Sequence, residues 1–157
     1  MDRIGFRELD LEAFVHATES RERVEGALLH VAPGARVERQ ALRGHFGQPL
    51  LVLRARLRDP PAVESAVRRL AESAGAELAR TLARRVDEQG RFFARLDKQA
   101  AAAGTIALSD STENDVIRWT ARVRAPGRGR ADVLAALEAL LRGGATGSMG
   151  STGGEEE

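Results

Sequence analysis

The 157-residue chain contains no cysteine, which excludes disulfides and thiolate chemistry and fits a cytoplasmic protein. It has neither an apolar run near 18 residues nor a signal-like start, so no membrane partner is expected. The formal net charge of +1 conceals an asymmetry: residues 1–34 hold 4 basic and 7 acidic groups (−3), residues 35–130 hold 19 and 11 (+8), and residues 131–157 hold 1 and 5 (−4). A basic body between acidic ends suggests a polyanion as partner, and the length suits one domain.

Residues 1–8 read as a polar lead-in. From Leu9 the pattern has period two, with Leu9, Leu11, Ala13, Val15 and Ala17 on one face and Asp10, Glu12, Phe14 and His16 on the other, which predicts a half-buried strand. Thr18 or Ser20 can cap the next helix, whose stripe is Val24, Ala27, Leu28 and Val31 and which stops at Pro33-Gly34. Arg36–Arg43 is a weaker strand. Gly44-His45-Phe46-Gly47-Gln48-Pro49 turns it into a second, with Leu51, Leu53, Ala55 and Leu57 facing away from Arg54, Arg56 and Arg58. Asp59-Pro60-Pro61 starts a helix that carries Val63, Ala66, Val67 and Leu70; Gly75 is expected to break it, with Glu77–Val86 resuming it. Arg91–Leu96 alternates Phe92, Ala94 and Leu96 against Arg91, Phe93 and Arg95. Ala100–Leu108 fits either a short helix or a loop into a brief strand. After a polar turn at Asp110–Glu113, Ile117, Trp119, Ala121 and Val123 alternate with Arg118, Thr120, Arg122 and Arg124. A loop at Pro126–Arg130 leads to a last helix on Val133, Leu134, Leu137, Leu140 and Leu141. That helix is expected to end at Gly143-Gly144, leaving residues 143–157 as a disordered acidic tail behind a single domain over 9–142.

Strands with one apolar face need one helical layer. The fold class is therefore α+β, a two-layer sandwich of a mainly antiparallel sheet with helices on one face. The polar face would gather Arg54, Arg56, Arg58, Arg91, Phe93, Arg95, Arg118, Arg122 and Arg124, with Phe14 and His16 beside them. Guanidinium groups grip phosphate oxygens and exposed aromatics stack unpaired bases. The competing reading is cross-strand neutralisation by Asp10, Glu12 and Asp97.

Lys98 is the only lysine among 24 Lys+Arg; either it marks a site suited to a compact ammonium rather than a planar fork, or the position is indifferent and the lysine accidental. Two accounts of Asp97-Lys98-Gln99 stand side by side. In one, Lys98 meets phosphate and Gln99 a sugar or base edge; in the other, Asp97 caps the Ala-rich turn and Lys98 pairs with a carboxylate. No phosphate-binding glycine loop, metal-ligand spacing or paired-carboxylate motif is present, so no cofactor, metal or enzyme activity is expected. A metal-independent ribonuclease would need His16, His45 and Lys98 to converge.

Three blocks in order, Phe14-Val15-His16-Ala17-Thr18-Glu19, Gly44-His45-Phe46-Gly47 with Pro49, and Arg95-Leu96-Asp97-Lys98-Gln99-Ala100 with Gly104, Leu108 and Asp115-Val116-Ile117, resemble the archaeal RNA-binding family of predicted exosome subunits. The resemblance covers about residues 9–125. It implies a fold like the ribosomal protein that binds 5S rRNA, work in RNA processing, and no catalytic residues. The expected function is thus RNA binding as an accessory to RNA processing or ribosome-related work, with RNA-processing complex subunits as further partners. The expected contact residues are Lys98, Gln99, Arg95, Phe93, Arg54, Arg56, Arg118, Arg122, His16 and His45. The alternative is an adaptor that docks an acidic protein.

Overall fold

The computed structural model describes residues 4–113, 115–124 and 129–156, with backbone alone from 144 onward. In chain order it contains strand β1 (Gly5–Val15), helix α1 (Arg21–Val31), strands β2 (Arg36–Arg43) and β3 (Pro49–Leu57), and helix α2 (Pro60–Arg80). A 3₁₀ turn at Leu82–Arg84 follows, then strand β4 (Arg91–Asp97), helix α3 (Lys98–Ala102), strand β5 (Val116–Arg124) and helix α4 (Arg130–Glu156). The five strands form one sheet in the order β2-β3-β1-β5-β4, and each neighbouring pair is antiparallel. The helices cover one face of it, which makes the fold a two-layer α+β sandwich.

The period-two residues divide as the pleat requires. Leu9, Leu11, Leu53, Phe92, Leu96, Ile117 and Trp119 point inward and meet Leu28, Leu70, Leu78 and Leu137 from the helices. Trp119 and Phe92 pack edge to face with centroids 5.3 Å apart. Asp59 caps α2 by accepting from the Ala62 N–H at 3.2 Å, with proline in the first turn. Ser20, not Thr18, caps α1, accepting from the Arg23 N–H at 3.2 Å.

Several boundaries differ from the sequence expectation. Strand β1 starts at Gly5 rather than Leu9, because an irregularity between Phe6 and Glu8 lets the lead-in keep pairing with β5. It ends at Val15, which leaves Ala17 exposed in the turn that follows. Helix α2 is interrupted by non-helical backbone at Ala74, with φ −142° and ψ 23°, one residue before the break expected at Gly75, and it resumes only to Arg80 rather than to Val86. Gly75 itself marks a close approach, since a methyl there would stand 2.9 Å from the Leu141 carbonyl oxygen of α4. The segment after α3 is a loop whose expected brief strand is reduced to one isolated antiparallel bridge, Leu108 to Leu96. It returns along the outer edge of β4, where the Asp97 N–H donates to Ala107 at 2.8 Å and the Ser109 N–H to Arg95 at 2.9 Å.

Helix α4 runs past Gly143-Gly144 to Glu156. The expected stop and unstructured tail do not match this backbone: glycine disfavours helix by about 1 kcal/mol relative to alanine but does not forbid it. Its packed part is Val133, Leu137 and Leu141. Arg130 ties its start to the 3₁₀ turn and the residues just after it by donating to the carbonyls of Val86, at 2.9 Å, and Ala83. Pro126, Gly127 and Arg128 of the expected loop, and Glu157, lie outside the described residues. Among the described residues no helix is long and apolar enough to cross a membrane.

Candidate nucleic-acid interface

The face of the sheet without helices is built by the same alternation. Strand β1 places Glu8, Asp10 and Glu12 there, β3 places Arg54 and Arg56, β5 places Arg118, Thr120 and Arg122, and β4 places Arg91, Phe93 and Arg95. Because β1 is the central strand, its acids form a stripe between two sets of arginines, and the two sets fare differently.

On the β3 side the arginines are neutralised. Register sets Arg54 opposite Glu12 and Arg56 opposite Asp10. Arg54 Nε donates to Glu12 Oε2 at 3.0 Å and the same guanidinium reaches Gln40 on β2. Arg58 Nη1 lies 3.2 Å from Asp10 and Nη2 lies 3.8 Å from Glu8, while Arg56 sits 4.0 Å from Asp10. The cross-strand neutralisation weighed from sequence therefore holds here, with Glu8 in place of Asp97. Asp97 instead caps α3 through the Ala100 N–H at 2.9 Å.

On the β4 side like charges meet. Register puts Arg95 directly opposite Arg118 and Arg91 directly opposite Arg122, an arrangement that disfavours the folded sheet when nothing lies between the charges. Arg118 also lies opposite Glu12 of β1 and approaches it to 3.9 Å, but it shares that carboxylate with the closer Arg54. Arg91 is held by Asp87 at 2.8 Å and lies 5.7 Å from the Phe93 ring centroid. The two Asp87 oxygens accept from the N–H groups of Gln89 and Arg91 and from the Arg91 side chain. Burial alone would raise the Asp87 pKa, but these bonds and the Arg91 charge outweigh it and hold the carboxyl below its usual 3.8. Among the described residues, Arg95 and Arg122 make no ion pair.

A cleft of about 670 Å³ opens over this half, lined by Arg84, Arg85, Arg95, Arg118 and Phe93, with Ser109, Asp110 and Thr120 at its sides. It sets four guanidinium groups against one carboxylate. Arg84 and Arg85 were not among the sequence candidates, since residues 77–86 read as a continuing helix; the 3₁₀ turn aims them at β4. The signal available was the adjacent pair itself, placed just before the Asp87–Gly90 turn. The Arg85 carbonyl accepts the Phe93 N–H at 2.8 Å, and its Nε donates to Thr81 at 2.8 Å. Burial, with Arg84 and Arg95 close by, lowers the Arg85 pKa against the opposing effect of Glu77 and Asp110; a guanidinium remains protonated.

Lys98 is elsewhere and is not on the surface. It is 1% exposed, and its Nζ donates to the Phe14 carbonyl at 2.8 Å and to Glu19 Oε1 at 2.9 Å. The same Glu19 oxygen accepts the His16 N–H at 2.9 Å. Of the two accounts read from sequence, capping by Asp97 with carboxylate pairing by Lys98 matches the geometry. Phosphate contact by Lys98 does not, because the ammonium is enclosed and occupied. A smaller cleft of about 360 Å³ beside it takes in Thr18, Arg23 and the exposed Gln99. His45 is exposed at the tip of the β2–β3 hairpin, its ring 4.8 Å from that of Phe46. The grouping of His16, His45 and Lys98 that strand cleavage requires therefore lacks an available ammonium.

Fold and charge together define an α+β protein with a bare, arginine-rich sheet face. A family model described as RNA binding matches residues 8–123, and the chain belongs to this RNA-binding family. An RNA-binding protein of Pyrococcus abyssi is 29% identical over 143 residues, covering 85% of this chain and 92% of its own. A DUF54 protein of Methanothermobacter thermautotrophicus is similar in structure, with TM-score 0.74 at 31% identity over 87% of this chain and 98% of its own.

Proposed function

We propose that this protein is a cytoplasmic, non-catalytic RNA-binding accessory factor, and that the β4–β5 cleft is where it grips RNA. The observation that carries the reading is the pair of facing arginines, Arg95 opposite Arg118, over a cleft also lined by Arg84, Arg85 and Phe93. A phosphate seated between two like charges removes their repulsion and gains charge-assisted hydrogen bonds from both. Phe93, 36% exposed, offers a ring to an unpaired base. Membership of the RNA-binding family supports RNA as the polyanion. The resemblance of the three sequence blocks to predicted exosome subunits supports a place in RNA processing or ribosome-related work, with subunits of such complexes as partners.

Fluorescence anisotropy with a labelled mixed-sequence single-stranded RNA tests the reading. The expected result is binding whose log K falls with log salt by about 0.7 per phosphate neutralised, a slope of roughly −2 to −3 for three or four phosphates. A folded protein that binds no RNA at low salt overturns the reading and leaves an acidic protein surface as the ligand of the cleft.

A further inference from the structure

Strands β2 and β3 form the edge hairpin of the sheet. Along β2 every residue but Val37 is exposed, and β3 pairs with β1 only as far as Leu51, so the tip of the hairpin projects past the central strand. At its tip stands Phe46, 89% exposed. The tip that carries this ring is tightly braced. The Gly44 N–H donates to the Gln48 carbonyl at 2.7 Å and the Gly47 N–H to the Gly44 carbonyl at 2.9 Å. Arg43 Nη1 donates to the Gly47 carbonyl at 2.9 Å, and the Phe46 N–H donates to Gln48 Oε1 at 3.0 Å. Gly47 has φ +81°, a left-handed conformation that glycine adopts without strain. At Gly44 a methyl would collide with the Gln48 side chain, displacing the amide that fixes Phe46. The loop thus fixes the backbone of a residue whose ring is left in water.

The surroundings are cationic: β2 carries three arginines, Arg36, Arg39 and Arg43, and one acid, Glu38. His45 meets the Phe46 ring edge-on, at an interplanar angle of 82°. We infer that the β2–β3 hairpin is a second RNA contact, in which Phe46 stacks on an unpaired nucleobase while the β2 arginines hold the flanking phosphates. This rests on the RNA-binding reading above. A preorganised aromatic loses little freedom on stacking, and stacking is indifferent to base identity. The open outer edge of β2 carries arginines that would repel a second copy of the same strand, so the charge pattern favours a polyanion over self-pairing.

The test is the affinity of Phe46→Ala, Phe46→Leu and Phe46→Trp for labelled single-stranded RNA, with thermal unfolding of each as a folding control. The tip lies outside the core, so unfolding temperatures are expected to stay together. Phe46→Ala and Phe46→Leu are expected to lose about tenfold in affinity. Phe46→Trp is expected to retain it, and its new indole emission to be quenched by RNA, against a constant signal from the buried Trp119. Wild-type binding with Phe46→Ala or Phe46→Leu unimpaired overturns the hairpin inference and leaves the cleft reading standing. Absence of RNA binding by the wild type overturns both. Capture of a protein partner that depends on Phe46, with RNA affinity independent of it, also overturns the inference.

Discussion

Lys98→Met is expected to lower folding stability by about 3–5 kcal/mol, the range for breaking one partner out of a buried ion pair. The unfolding temperature should fall by roughly 6–20 °C for a chain of this size. The substitution leaves the Glu19 carboxylate and the Phe14 carbonyl without their shared donor, and these two groups join the end of β1 to α3. Lys98→Arg should also destabilise, because a planar fork does not fit where an enclosed ammonium makes two hydrogen bonds. The double variant Lys98→Met/Glu19→Gln is expected to recover part of the loss. The pH dependence carries a sign. Burial alone would raise the Glu19 pKa, but the His16 N–H and the hydrogen bond and charge of Lys98 outweigh it and hold the carboxyl below 4.5. A folded-state pKa below the unfolded one contributes stability that is complete above about 4.5 and is lost as pH falls through the folded value. Urea midpoints measured from pH 7 down to pH 3 should show this acid loss in the wild type and a weaker one in Lys98→Met. An unchanged midpoint in Lys98→Met would contradict the structural role.

Arg95→Gln/Arg118→Gln is expected to weaken RNA binding by tenfold or more at low salt and to reduce the salt slope by about 1.4, or 0.7 for each single-strand phosphate no longer neutralised. The same variant should fold at least as stably as the wild type, because it removes two like charges held opposite each other. Loss of binding without loss of stability is the signature of a charge placed for a ligand. Arg54→Gln/Arg56→Gln makes the matched control. Those arginines already lie against Glu12 and Asp10, so the salt slope should change by less than half as much. Equal losses in the two double variants would mean that the face acts only through its summed charge.

Most of the fold was legible because alternation is a direct record of pleat. Apart from Ala17, which falls in the turn after β1, the inward residues read on β1, β3, β4 and β5 lie on the helical side, and the one-faced strands required the single helical layer. The sequence also flagged Lys98 for a sound reason, since the one lysine does occupy a place suited to a compact ammonium. What composition could not tell was whether that place is exposed. Its partners, Phe14 and Glu19, lie 84 and 79 residues away, and such an interaction is fixed only when β1 and β4 take their places around β5. The arginine face was legible as a set of residues but not as a pattern. Strand order decided that Glu8, Asp10 and Glu12 stand between β3 and β5, with their shorter ion pairs toward β3, while β4 and β5 bring arginines opposite each other. Arg84 and Arg85 were hidden by a helical periodicity that the chain abandons at Thr81.

The most direct test of the β4–β5 cleft is amide chemical-shift mapping of the isotopically labelled protein titrated with single-stranded RNA. The predicted result is a contiguous set of shifted amides at Arg84, Arg85, Phe93, Arg95, Ser109, Arg118 and Thr120. Shifts confined to the helical face, or centred on Arg54–Arg58 with the β4–β5 amides unmoved, would contradict it.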